Sequence, residues 1–321
     1  MRAGAALRGR LLAVIAAVAL LNLLAGGGAL WLDGFGTASL GIGMVAYLLG
    51  VRHAFDADHI AAIDNVTRRL RAEGQRPVGV GLFFSLGHST VVLLLTAAAV
   101  VAARRIGVLL PELSTWGSVF GSLVSAGFLT LIGLANLRFF AVLLRDPYSG
   151  EGHHRHSFGV GRVARNVDQS WKMFPLGMLF GLSFDTASEV ALLAISVAAA
   201  HDGSVPMWGL MLLPLLFTAG MASVDTLESL LMLRLYDWAI RDQDHTLRLN
   251  TLITGTSACL ALAVALHAWI VLYSRQTHGA LALPAIDSSM VGMLVTAVLL
   301  GLGALAWLWR RQGPRIGTKP L

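Results

Sequence analysis

Eight apolar stretches, each long enough to cross a bilayer, dominate the chain, at about 11–32, 40–64, 78–103, 117–137, 173–200, 206–233, 250–273 and 289–309. A helix needs roughly 20 apolar residues to span the hydrocarbon core. Inside lipid every backbone N–H and C=O must be satisfied within the protein, which leaves helices or a closed barrel, and runs of this length fit only helices. Charged residues make up only 13% of the 321 residues, and 56% are hydrophobic. A water-facing surface needs about twice that share of charge. The expectation is an all-α, polytopic integral membrane protein with about eight transmembrane helices, forming one transmembrane domain over residues 1–321.

The connecting segments are short except one, 138–172, which is basic and contains His153-His154-Arg155-His156. It divides the chain into four helices plus four. Of the 24 Lys and Arg, 20 fall in the N-terminal, 65–77, 138–172, 234–249 and C-terminal segments, and three in the segments between. That bias places both termini in the cytoplasm. It also accounts for the net charge of +6 without a nucleic-acid partner. The first stretch has a second reading. Arg2, Arg8 and Arg10 precede an apolar run reaching Ala25-Gly26-Gly27-Gly28-Ala29, as in a secretory signal peptide, but the run continues to Trp31 and Leu32, as a retained helix would. The single cysteine, Cys259, excludes an internal disulfide and a thiolate-rich metal site.

Ionisable side chains in a membrane interior are costly and usually functional. Here they cluster. The second stretch carries His53, Asp56, Asp58 and His59, the third His88, the fifth Asp185 and Glu189, and the sixth Asp225 and Glu228. At 1.5 Å rise per residue His53, His88, Asp185 and Asp225 lie roughly 12–18 Å from the cytoplasmic ends of their helices. They therefore share a level near the midplane, where secondary transporters hold substrate. In a regular helix His53, Asp56 and His59 share one broad face, while Asp58 falls near 140° from His53 and turns away. A broken helix would change that, and such breaks occur at transporter sites. Imidazole with carboxylate and no thiolate suits Ni²⁺ or Co²⁺, and leaves Zn²⁺ and Mn²⁺ open. Asp64 reads as a helix-end residue at the cytoplasmic interface, with Asn65 and Thr67 in the turn that follows. A weak internal echo lays Gly81–Thr90 on Gly177–Thr186.

Several segments resemble the nickel/cobalt transporter (NiCoT) family. RHAFDADHIAAIDNVTR (52–68) is similar to its second-helix signature H-x₄-D-H, matched by His53, Asp58 and His59. FFSLGHSTVV (83–92) resembles the third-helix motif. LSFDTASE (182–189) resembles LGFDTATE, and FTAGMASVDTLESLLM (217–232) the sixth-helix motif, with Glu228 where Asp is usual. The resemblance implies an eight-helix permease of the cell inner membrane that takes up Ni²⁺ and/or Co²⁺ without ATP hydrolysis. It implies metal selection by His53, Asp58 and His59, with His88, Asp185, Glu189, Asp225 and Glu228 in support.

Inward transport is thus the leading expectation, with the cation and the lipid bilayer as partners and no cofactor beyond the transported ion. Efflux on a related scaffold is the alternative, for which a longer His-rich loop would be expected. An intramembrane metalloenzyme is a third reading, against which stand the small ligand set and the lack of an HExxH pair.

Overall fold

A computed structural model of the chain describes residues 2–33, 39–105, 167–182, 186–202, 205–239 and 243–276, with isolated helical positions between 123 and 144 and at 293, 297 and 301. Regular structure among the described residues is helical throughout, as expected: α1 (Arg2–Asp33), α2 (Ser39–Ala54), α3 (Ala57–Ala72), α4 (Val80–Arg105), α5 (Met173–Gly181), α6 (Ala187–Asp202), α7 (Leu212–Ala239) and α8 (Gln243–Gln276). Spans within α1 and α4, and a third from Trp208 through α7, are long and apolar enough to cross a membrane. The last expected helix, most of the fourth, most of the 138–172 loop with its His153–His156 cluster, and Asp185 lie outside the described residues.

Among the described residues, two of the expected helices are each two separate helices, and the 206–233 stretch opens on a short helix, Met207–Leu210, ahead of α7. The 40–64 stretch breaks at Phe55-Asp56 into α2 and α3. Phe55 and Asp56 donate their N–H groups to Arg52 and His53 carbonyls, so the last turn of α2 tightens, and Asp56 turns extended at φ −66°, ψ 138° before α3 starts. The 173–200 stretch likewise divides into α5 and α6. The hydrophobic pattern does not mark the second break, since α5 and α6 are both apolar, whereas α3 is distinctly more polar than α2.

α3 also runs further than expected, to Ala72, where Gly74 (φ +82°) closes it. Gly74 N–H bonds Arg71 O and Gln75 N–H bonds Leu70 O, the paired bonds of a Schellman cap. Asp64, Asn65 and Thr67 are therefore buried helical residues, not an interfacial helix end and turn. Their polarity is met inside the protein. Tyr236 on α7 donates its hydroxyl to Asp64, and Asn136 and Arg68 both donate to Asn65 Oδ1.

α7 lies at the centre, packed against α1, α2, α3 and α4, while α4 packs along α5. Glycines set how closely these helices cross. A Cβ built on Gly50 of α2 would stand 2.0 Å from Phe217 O of α7, and one on Gly220 of α7 2.3 Å from Tyr47 O of α2. Between α4 and α5 the pairing is also reciprocal: Gly87 against Phe174 O at 1.9 Å and Gly177 against Phe84 O at 2.1 Å. Without Cβ atoms the backbones approach directly, the usual basis of tight packing where lipid supplies no hydrophobic drive between helices. The described residues of the internal echo, Gly81–Thr90 on α4 and 177–181 on α5, are thus packed on each other. Two apolar clusters flank the crossings: Ile63, Phe84, Phe180 and Met173 on one side, Ala46, Leu192, Phe217 and Met221 on the other.

Candidate metal centre

Between these clusters the break in the second stretch brings His53, at the end of α2, and His59, in the first turn of α3, to a ring-centroid distance of 4.6 Å. In a continuous helix the two residues would sit about 9 Å apart along the axis. His88 of α4 completes a compact set, its ring 4.7 Å from His53 and 4.8 Å from His59. One nitrogen from each of the three lies within 4.8 Å of those of the others, and all three residues are buried. Phe84 abuts His59 edge-on at 4.8 Å and Phe217 lies 5.3 Å from His53, so apolar rings wall the set.

Glu189 of α6 adds a carboxylate to this set. His53 Nε2 and His88 Nε2 are 3.0 Å apart, His88 Nε2 is 2.9 Å from Glu189 Oε1, and His53 Nε2 is 3.9 Å from the same oxygen. N and O ligands sit about 2.0–2.2 Å from a first-row divalent ion, so neighbouring ligands are about 3.0–3.5 Å apart. The triangle is already close to that spacing.

The neighbours of the triangle settle which nitrogen faces it. Thr186 Oγ1 donates to Glu189 Oε2 at 2.9 Å and accepts the Glu189 N–H at 3.4 Å. The Thr186 hydroxyl thereby caps the start of α6, within a Thr186-Ala187-Ser188-Glu189 sequence of the capping-box pattern. With its proton given to Glu189, the hydroxyl accepts from His53 Nδ1 at 3.3 Å, and Asp56 Oδ2 lies 3.7 Å from the same nitrogen. The network therefore assigns the proton to Nδ1 of His53 and leaves the Nε2 lone pair toward the triangle, the outer-shell arrangement common at metal-binding histidines. Asp56 occupies the N-cap position of α3 but makes no capping bond with its side chain. Asp58 supports the same helix start, Oδ1 accepting the His59 N–H at 2.9 Å.

Asp225 of α7 approaches from the other side. Its Oδ2 is 3.6 Å from His59 Nδ1 and accepts the Ser85 hydroxyl at 2.6 Å, while Oδ1 is buried without a hydrogen-bond partner. Glu228, one turn along α7, is buried within electrostatic reach of Asp225 and Asp64, and its Oε1 also lacks a partner. The structure thus brings together His53, Asp56, His59, His88, Glu189 and Asp225, sets Glu228 beside them, and places Asp58 at the start of α3. Neither hydropathy nor motif spacing assigns a role to Ser85 or to the Tyr236–Asp64 bond. The T-x-x-E pattern at 186–189 is a legible sign of the α6 start that hydropathy alone hides.

Buried imidazoles, carboxylates with unmatched oxygens and ligand-like spacing offer the kind of donor set that a divalent cation takes. A family model described as high-affinity nickel-transport protein matches residues 39–311, which takes in every element of this site.

The chain belongs to the high-affinity nickel-transport protein family.

Curated members of that family align over most of its length. The high-affinity nickel transport protein of Cupriavidus necator is 46% identical over 244 residues, covering 70% of this chain and 68% of the relative. The nickel transporter NixA of Staphylococcus aureus is 37% identical over 313 residues, covering 92% and 91%. The cobalt transport protein NhlF of Rhodococcus rhodochrous is 39% identical over 279 residues, covering 80% and 79%. No solved structure matches the chain. Membership in the nickel-transport family, with several apolar helices, makes this an all-α polytopic membrane protein, as its hydropathy foretold.

Proposed function

We propose that this chain is a carrier, not an enzyme, that imports Ni²⁺ or Co²⁺ through the cell inner membrane as a single transmembrane domain with both termini in the cytoplasm. Two kinds of finding support the reading: relatives named for nickel and cobalt transport, and the His53–His88–Glu189 triangle in a buried, thiolate-free site. The triangle is the observation that carries it.

In this reading the ion sheds part of its water on reaching the triangle, with His59 and Asp225 adding a nitrogen and an oxygen as it settles. Asp56 and Thr186 hold His53 in the ligating tautomer. Release follows α3 and α7, where Asp225, Glu228, Asp64 and Tyr236 form a polar sequence away from the triangle toward the arginine-rich helix ends. The inside-negative potential favours entry by about 2.3 kcal/mol per charge per 100 mV, so about twice that for a divalent ion.

The test is accumulation of radiolabelled Ni²⁺ or Co²⁺ in cells expressing this chain, beside cells expressing His53→Ala. Equal accumulation in the two sinks the reading. Competition by unlabelled Ni²⁺, Co²⁺, Zn²⁺ and Mn²⁺ in the same assay identifies the preferred cargo.

A further inference from the structure

α1 and α7 are fastened to each other well away from the N-terminus. Asn22 Nδ2 on α1 donates to Ser223 Oγ on α7 at 3.0 Å, and a Cβ on Gly28 would meet the Leu212 side chain at 2.8 Å. On the N-terminal side of that fastening lies an open cavity of about 330 Å³ between the two helices. Leu7, Leu11 and Ile15, four residues apart on one face of α1, form one wall. Leu227 and Leu231 of α7 form the other, and Arg234 continues the same face one turn further. Arg76, from the segment joining α3 to α4, closes this end beside Arg234.

Both arginines are exposed, and neither forms an ion pair with a described residue. Ile15 (48% exposed) and Leu227 (58%) remain open to their surroundings. The groove therefore offers hydrocarbon along its length and two guanidinium groups at one end. By the charge bias of the loops, that end faces the cytoplasmic leaflet. Cations at the inner end of an apolar cleft between membrane helices suit an anionic headgroup.

The geometry points to a binding site for an acidic phospholipid, one acyl chain lying between α1 and α7 and the phosphate held by Arg76 and Arg234. A zwitterionic lipid fits the apolar walls equally but carries a cationic group toward the arginines. A soluble phosphate has no use for the walls. A second copy of this chain docked two-fold on this face would bring the same arginines together.

Each arginine contributes about fivefold in affinity for an anionic surface, so a phosphatidylglycerol preference of about 20-fold over phosphatidylcholine of the same chain length is expected. Native mass spectrometry of the full chain in mild detergent, titrated with each lipid, reads this directly. The Arg76→Ser/Arg234→Ser double variant brings the two lipids within about twofold of each other, and Leu231→Trp, which fills the groove, weakens both. Lipid-free melting temperatures check that the variants fold. The proposal is overturned by equal binding of the two lipids to the native chain, by a preference that survives in the double variant, by displacement of the lipid with glycerol phosphate alone, or by a second protein chain in place of the lipid mass.

Discussion

His53 and His88, on different helices, meet Nε2 to Nε2 at 3.0 Å, with Glu189 Oε1 2.9 Å from the second nitrogen. Two imidazole nitrogens at that distance need a proton between them, or a metal ion. The tautomer of His53 leaves its Nε2 as acceptor, so in the ion-free protein the proton belongs to His88, shared between His53 and Glu189. An arriving divalent ion takes its place.

Metal binding should therefore displace that proton from Nε2, and a neutral His88 takes it up at Nδ1, which is buried without a hydrogen-bond partner, as the ion takes the Nε2 lone pair. In calorimetric titration of Ni²⁺ or Co²⁺ into the purified protein, affinity in His88→Ala should fall by more than about 100-fold, beyond the range seen when only an outer-shell partner is lost. Native affinity in His88→Ala would show that His88 is not a ligand.

Thr186→Ala should act on the ion without touching it. The hydroxyl caps α6 and accepts from His53 Nδ1. Loss of an outer-shell partner lowers metal affinity by about 10–100-fold, and loss of the cap costs about 1 kcal/mol of stability. Thr186→Ser should restore both. Affinity that stays at the native level in Thr186→Ala removes the tautomer argument.

The glycine crossings should divide sharply from the other helical glycines. A Cβ on Gly177 would stand 2.1 Å from Phe84 O, whereas one on Gly26 in α1 has no neighbour within 4 Å. Gly177→Ala should force α4 and α5 apart, displace His88, and cost about 1–3 kcal/mol, the range for overpacking. Gly26→Ala should leave melting temperature and uptake unchanged. Equal melting of the two variants contradicts the close crossing.

Tyr236→Phe removes the hydroxyl that α7 donates to Asp64, a residue 2% exposed. Leaving that buried carboxylate short of a donor should cost about 1–3 kcal/mol. The melting temperature in detergent should drop, and with it the level of folded protein in the membrane. A variant as stable as the native chain would mean that Asp64 finds its hydrogen bonds elsewhere.

The amino-acid sequence by itself determined the solvent and the chemistry. Apolar runs of bilayer length dictate helices, because unpaired backbone groups cannot be left in hydrocarbon. The scarcity of charge makes His53, Asp56, His59, His88, Glu189, Asp225 and Glu228 conspicuous, and one cysteine rules out a thiolate site. Only the tertiary structure decided the geometry. Hydropathy is high on both sides of 182–186, so it reads α5 and α6 as one helix, and the fall in hydropathy from α2 to α3 does not by itself place a break at Phe55-Asp56. Whether a membrane helix breaks depends on neighbours that take up the freed backbone groups and side chains, and those lie far along the chain. Thr186, on the far side of the second break, reaches His53, more than 130 residues earlier. The distance between α4 and α5, set by Gly87 and Gly177 meeting partner backbones, then fixes how near His88 comes to His53 and Glu189. A sequence names the ligands; helix breaks and backbone contacts between distant glycines set the few ångströms that make them a site.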